Sequence, residues 1–596
     1  MSSSASLNIQ EILLCLKNTY SSPDKAVREQ SEKKLDELKN QDIVEFTSQL
    51  IQILRTNTSE IDKNLKLSII LLLKRSLKEK IEKEEITKDQ VIQLIQQFIL
   101  LLVNPSLSKK ELENLIVIFS LLLEAVNEEV LIEIIKYINK EITSMPLGSC
   151  NGVISIIIAV ISSQSISKKN YPWILTTTLE MGYRMLSNLY REFEKINFEN
   201  NLDDYLKLND MFSNFFEFLF IGNFKSSKRF KIKEEKIENL FYSMFIIGAK
   251  LLVNIKSNND NKIISWTDND KFDKNINTMK IKIIKFLNLQ INDFGDFIYD
   301  KNKIGVISQL TKIIMTDLGW IIMNKYSNIM KLETEDENKL YKDNNYSLLI
   351  AYMFIYLKRV LKKDNFIKEF TSEFNNMYKN ILLPLLINTQ LDEEIAFEND
   401  TVNGYIIDIN DILNENKNKN IKSTVAALIK LFYEKNNISN EFIIKYTLGL
   451  LEFLIKGNNN YINDKNIFNE NDIIIILLKA YNKEKIITTL FLVLNIISEI
   501  DNEQNDLYLR DFFQSIFDFC LKIDNIILKH QIIIFISNYS LRFFESDSIA
   551  FESNISYLFN SLFDINNPLI SNSASDALQN FFKKNTTKIP ILKPRY

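Results

Sequence analysis

Histidine is nearly missing from this sequence: His530 is the one imidazole in 596 residues. The three cysteines, Cys15, Cys150 and Cys520, stand far apart. Together these residues offer no zinc-ligand spacing, no disulfide framework and no thiolate beside a base. A reducing compartment is the expectation. Glycine and proline are also scarce, 11 and 8, too few for turn-rich sandwiches or Rossmann units. No glycine-rich loop ends in Gly-Lys-Ser/Thr and no Gly-x-Ser-x-Gly elbow occurs, so neither a phosphate cradle nor a hydrolase nucleophile is written in the chain. Neither an enzyme nor a cofactor is expected. A basic surplus is absent as well, since 72 Lys and Arg face 76 Asp and Glu; this balance argues against nucleic acid or an anionic membrane as partner. Apolar runs such as 153–161 and 473–478 stop well short of the ~18 residues that span a bilayer, so membrane insertion is not expected. Residues 1–6 are Ser-rich and lead into an amphipathic segment, unlike the apolar core of a secretory signal.

The remaining composition, 46% hydrophobic and 25% charged, is that of a folded chain. Its periodicity is helical almost throughout. Ile9, Ile12, Leu13, Leu16 and Tyr20 share one helix side. A second helix, with Ser22 as its cap, buries Val27, Ser31, Leu35 and Leu38. A third buries Ile43, Phe46, Thr47, Leu50, Ile51 and Leu54, and a fourth Ile61, Leu65, Ile69, Leu72, Leu73 and Ser76. Four short amphipathic helices need neighbours to cover their apolar edges, so a stack of helical hairpins is predicted. The same pattern continues, with a breaker at Gly148 to Gly152 before the apolar helix 153–161 and an aromatic helix over 206–224. The basic run 225–236 after that helix reads as a solvated turn, and His530, within apolar 526–532, as a structural side chain. The closing pair, around Leu558 to Phe563 and Ser573 to Phe581, has the layout of a HEAT repeat. Repeats of ~40 to 47 residues would give roughly a dozen.

On the fourth helix Lys63, Lys66, Lys74 and Lys78 fall roughly opposite the Ile61/Leu65/Leu72 edge and predict a basic stripe, for which plain solvation is the simpler reading. The order LLCLKNTYSSPDKAVREQSEKKLDELK, FTSQLIQIL, NLKLSIILLLKRSLKEKI over residues 7–81 resembles the N-terminal domain of the importin-beta (karyopherin) family of nuclear transport receptors. The element Leu73-Lys74-Arg75 has Arg where that family commonly has Asn. The resemblance implies an all-α HEAT-repeat (armadillo-like) superhelical solenoid that carries protein cargo between cytoplasm and nucleus, contacts Phe-Gly nucleoporins and answers to the small GTPase Ran. It further implies that the inner helices of the first repeats meet Ran-GTP. Lys74 coincides with a family position, with Lys66, Arg75 and Lys78 as neighbours.

A second stretch, LLPLLINTQLDEEIAFENDTVNGYIIDIND followed by STVAALIKLFYE, resembles an acidic segment of the importin-alpha exporter and related large importers. Asp392, Glu393, Phe397, Glu398, Asp400, Tyr405, Ile406, Ala426 and Ala427 match; Thr401 replaces a typical Pro, and Ser423 to Val425 replace Arg. By the same resemblance, the charged run with Glu333, Glu335, Asp336 and Glu337, and the carboxylates Asp392, Glu393 and Glu394, are candidates for an acidic surface facing basic cargo or the GTPase. The bland reading of the first run is a solvated loop.

The expected layout is a disordered tail at 1–6, an importin-beta-like domain at 7–125 and repeats at 126–380 with polar insertions near 225–236, 256–277 and 331–343. An acidic segment at 381–434, further repeats at 435–584 and a tail at 585–596 complete it. A monomer is expected. Members of that family are generally much longer, so a shortened paralogue, a fragment and a truncated gene model all stay open. A Ran-independent scaffold or adaptor subunit, built on the same repeats, is the competing class.

Overall fold

The computed structural model describes residues 9–55, 61–83, 85–141, 146–195, 202–259, 270–293, 295–299, 304–321, 346–387, 421–456, 483–498, 500, 508–509, 522–523, 525–543, 548–564 and 567–585. Every regular element among them is helical. The chain divides into two compact units, 1–304 and 305–596.

The first unit contains α1 (Ile9–Ser21), α2 (Lys25–Gln41), α3 (Ile43–Arg55), α4 (Lys63–Glu82), α5 (Lys88–Leu102) and α6 (Lys109–Glu124). It continues with α7 (Glu128–Glu141), α8 (Cys150–Ser162), α9 (Tyr171–Lys195), α10 (Leu202–Phe224), α11 (Glu235–Asn259) and α12 (Asp270–Asp293). Most helices pack on the helix two places along, and many also on a sequence neighbour. Thus α4, α6, α8, α10 and α12 touch in series, as do α3 with α5 and α7 with α9 and α11. This i to i+2 contact is what hairpins stacked in two layers produce, and it gives the unit the HEAT-type array that the periodicity predicts.

Local chemistry starts the helices. Thr87 with Gln90 and Ser108 with Glu111 form reciprocal capping boxes at α5 and α6. Asp24, rather than the expected Ser22, caps α2 and accepts from the Ala26 N–H at 2.8 Å. All six positions expected inward on α3 are buried. On α1 the core takes Ile12, Cys15 and Leu16, whereas Tyr20 is 45% exposed. The expected breaker before 153–161 is already helix: α8 begins at Cys150, and Gly152 lies against the carbonyl of Leu102.

The stretch near 225–236, expected as a solvated insertion, is a packed corner. A π-helical turn, Lys225–Arg229, extends α10, and Phe230 and Ile232 are buried. The Lys225 ammonium donates to the Ile161 carbonyl at the end of α8, where a helix dipole favours a cation. Likewise the insertion expected near 256–277 is helical at both ends, as the last turn of α11 and the first two turns of α12, with 260–269 outside the described residues.

The second unit contains α13 (Ile304–Ile321), α14 (Tyr346–Leu361), α15 (Ile421–Lys435), α16 (Asn437–Lys456), α17 (Lys483–Ile497), α18 (Ile526–Phe543), α19 (Ser548–Leu562) and α20 (Pro568–Asn585). Short helices at Asp364–Glu369, Thr371–Met377 and Leu383–Leu386 lie between α14 and α15. Contacts run α14 to α15, α15 to α16 and α17, α17 to α18, and α18 to α20. Every residue from Ile486 to Ile497 is buried, so α17 is enclosed on all sides. The small residues Ser573, Ala574 and Ala577 are buried, and the Ser537 hydroxyl reaches the Ala577 carbonyl at 3.4 Å, so α18 and α20 approach closely. His530 is buried within α18 and shares a hydrogen bond with Ser573.

Candidate partner-docking face

The α4 sequence Lys63–Glu82 buries Leu65, Ile69, Ile70, Leu73, Ser76 and Leu77. At about 100° per residue these positions cover an arc of about 140°. The opposite side carries Leu71, 49% exposed, with Arg75 and Lys78 at four- and seven-residue steps from it, both exposed. Lys74 flanks this row, half-buried. The expected single stripe is therefore divided. Lys66 falls within the angular range of the buried residues and is half-buried. Leu72, one of the positions expected on the inner edge, is only partly buried, and the packing centre lies near Leu73.

Charge pairing separates the cations further. Lys78 lies 3.7 Å from Glu82, an exposed pair worth a few tenths of a kcal/mol at most. Toward the end of α4, Lys80 pairs with Glu85, and Lys83 with Glu79 at 2.9 Å. On α2, Lys39 reaches Asp36 at 3.1 Å and Glu79 at 3.7 Å. Lys74 and Arg75 have no carboxylate partner among the described residues. Arg75 acts at a distance on Tyr20 of α1. Burial and the nearby Glu32 raise the Tyr20 phenol pKa, and the Arg75 charge opposes that rise.

The exposed side of α4 thus combines Leu71 with two cations that have no carboxylate partner among the described residues, and the exposed Tyr20 of α1 lies within reach of the Arg75 charge. An apolar centre beside unpaired charge suits a protein partner whose own face carries carboxylates. Tyr20 and Leu71 were missed in the sequence. One signal was present for Leu71: the five apolar residues Ile69 to Leu73 cannot all face inward on a helix.

Of the other predicted site residues, Glu333, Glu335, Asp336, Glu337, Asp392, Glu393 and Glu394 lie outside the described residues. The two described cysteines, Cys15 and Cys150, are buried and free. Burial raises the pKa of both thiols, that of Cys150 to about 11, so neither presents a thiolate at neutral pH. Among the described residues no group of His, Cys, Asp and Glu is placed to hold a metal ion, and no helix is long and apolar enough to cross a membrane.

No protein-family model matches the chain, and no curated protein matches it. Among solved structures it is similar to Kap121p bound to RanGTP, at 13% identity and TM-score 0.45, over 97% of this chain and 54% of that one. It is similar to Kap95p, from a structure in which Kap95p binding induces the switch loops of RanGDP to adopt the GTP-bound conformation, at 11% identity and TM-score 0.40, over 98% of this chain and 57% of that one. An engineered protein is similar at 10% identity and TM-score 0.36, over 96% of this chain and 99% of that one. The chain spans little more than half the length of the two Kap proteins. At these identities and scores the likeness carries no argument about partners.

Proposed function

We propose that the chain is a nucleocytoplasmic transport receptor of the importin/exportin type, carrying protein cargo under control of the GTP-bound form of Ran. The observation that carries this reading is the coincidence of two features in α1–α4. Their sequence resembles the importin-beta N-terminal domain, and α4 presents Lys74 and Arg75, without a carboxylate partner among the described residues, on the side of exposed Leu71. The functional part of the face is Lys74, Arg75 and Lys78, with Lys66 as a supporting side chain. Cargo and GTPase would be coupled reciprocally through one array, each altering the affinity of the other by the same factor. The acidic groups Glu333, Glu335, Asp336, Glu337, Asp392, Glu393 and Glu394 would supply the negative field that attracts basic cargo. Phe-Gly nucleoporins are the expected partners in passage, with residence in both cytoplasm and nucleus.

The test is retention of Ran on the immobilised full chain, with Ran loaded with GDP or with a non-hydrolysable GTP analogue. Selective retention of the GTP form supports the proposal. Equal retention of both forms, or of neither, hands the chain to the class of Ran-independent repeat scaffolds.

A further inference from the structure

The corner that follows α10 places three cations outward on a rigid support. Phe230 and Ile232 are 6% and 8% exposed, while Arg229, Lys231 and Lys233, which alternate with them, are exposed. Two backbone bonds close the turn beneath: Phe230 N–H to the Lys225 carbonyl at 2.9 Å, and Ile232 N–H to the Ser226 carbonyl at 2.7 Å. Phe230 is stacked on Tyr171. The backbone that carries the cations is therefore fixed before any partner arrives, which lowers part of the ordering cost of binding.

The backbone at Lys231 adds a second observation. Its φ is +52°, the left-handed region, and it is the only non-glycine residue with positive φ among those described. A side chain there costs ~1 to 2 kcal/mol, and a helix C-terminus closed this way usually uses glycine. Here the strained position carries an exposed lysine.

Pairing is the third. The flanking cations are committed: Lys225 to the Ile161 carbonyl, Lys228 to Asp293 at 3.2 Å and Lys236 to Glu180 at 2.8 Å. Arg229 lies over the Phe230 ring at 5.1 Å. Neither it nor Lys231 nor Lys233 has a carboxylate partner among the described residues.

We propose that Arg229, Lys231 and Lys233 form a docking site for a short acidic polypeptide segment of a protein partner. Three exposed cations without a carboxylate partner among the described residues complement a run of carboxylates on such a segment. A nucleic-acid duplex fits worse. A duplex is held by neutralising many phosphates along its backbone, whereas this patch offers three cations and ends against the exposed Glu234 and Glu235. The site is separate from the α4 face and does not depend on the Ran reading.

The experiment measures fluorescence anisotropy of a labelled peptide of a dozen residues with glutamate at alternate positions, titrated with the full chain at low ionic strength. Saturable binding that salt removes is expected. The triple variant Arg229→Gln/Lys231→Gln/Lys233→Gln should lose it, and the exposed control pair Lys168→Gln/Lys169→Gln should keep it. Lys231→Gly, which relieves the left-handed backbone, should weaken binding about tenfold, as loss of one close charge pair does, without lowering the melting temperature. The proposal is overturned if the triple variant binds the peptide as tightly as the parent, if the parent does not bind it, or if a labelled DNA duplex of similar length binds the parent at least as tightly.

Discussion

Phe230 lies on Tyr171 with ring centroids 4.1 Å apart and planes 20° from parallel. This stack ties the corner after α10 to the first residue of α9, and the Tyr171 hydroxyl donates to the Gly222 carbonyl at 3.3 Å. Both rings are buried, and burial drives the Tyr171 phenol pKa far above its ordinary value. Phe230→Ala should cost about 3 kcal/mol through lost contact and the cavity left behind. Tyr171→Phe, which removes only the hydroxyl, should cost about 1 kcal/mol. Thermal unfolding gives the ranking. Hydrogen exchange should place the effect at the amides of Phe230 and Ile232, and an equal loss for the two variants would refute the assignment of the stack as the main tie.

The α4 face gives a prediction that distinguishes docking from packing. Lys74→Glu/Arg75→Glu reverses charge where no carboxylate partner is described, so Ran-GTP retention should fall at least tenfold with the melting temperature little changed. Lys66→Glu places a carboxylate on the packing side, so it should lower the melting temperature and affect retention less. The opposite order, with Lys66→Glu the stronger variant in binding and the double variant silent, would remove the face from the proposed function.

The difference between these lysines also shows what the sequence could and could not specify. The helices were legible because apolar residues recur at three- and four-residue steps; α3 is the clearest case, with every expected inward position buried. The orientation of α4 was not, because its run Ile69 to Leu73 is apolar on every side and leaves the packing centre undetermined by tens of degrees. That uncertainty is enough to move Lys66 from the exposed side to the packing side. The corner at 225–233 was hidden for another reason. Its left-handed residue is a lysine, so the glycine that normally marks such a turn is missing, and its anchors, Phe230 and Ile232, look like isolated apolar residues in a basic run.

His530 should remain neutral well below the usual range of histidine. Burial lowers its pKa from 6.5 to about 4. In the unfolded chain it takes up a proton near pH 6.5, so between pH 6.5 and 4 the unfolded state binds more protons and stability falls as pH falls. Over that window the loss should reach about 3 kcal/mol, at 1.36 kcal/mol per unit. As the single histidine of the chain, its imidazole signal in a histidine-labelled sample can be assigned without mutagenesis. The signal should stay unmoved from pH 8 to 5.5, and His530→Gln should flatten the stability profile in the same window. A midpoint near 6.5 would mean that the ring is open to water.

Two glycines should respond to alanine in opposite directions. A Cβ built on Gly152 would stand 2.0 Å from the Leu102 carbonyl oxygen and 2.7 Å from its carbon, both backbone atoms at the end of α5. No rotamer change relieves a clash with backbone, so α8 would have to retreat from α5, opening space around Val153 and Ile156, which are buried. Gly152→Ala should cost about 3 kcal/mol, the upper end of the usual range for overpacked cores. Gly305, at the start of α13, has nothing within 4 Å of the same constructed atom. There alanine meets no obstacle and reduces the freedom of the unfolded chain, so Gly305→Ala should stabilise by about 0.5 to 1 kcal/mol. Calorimetry should show the melting temperature falling in the first variant and rising in the second. If Gly152→Ala left the melting temperature unchanged or raised it, the close approach of α8 to α5 would not be what requires glycine at position 152.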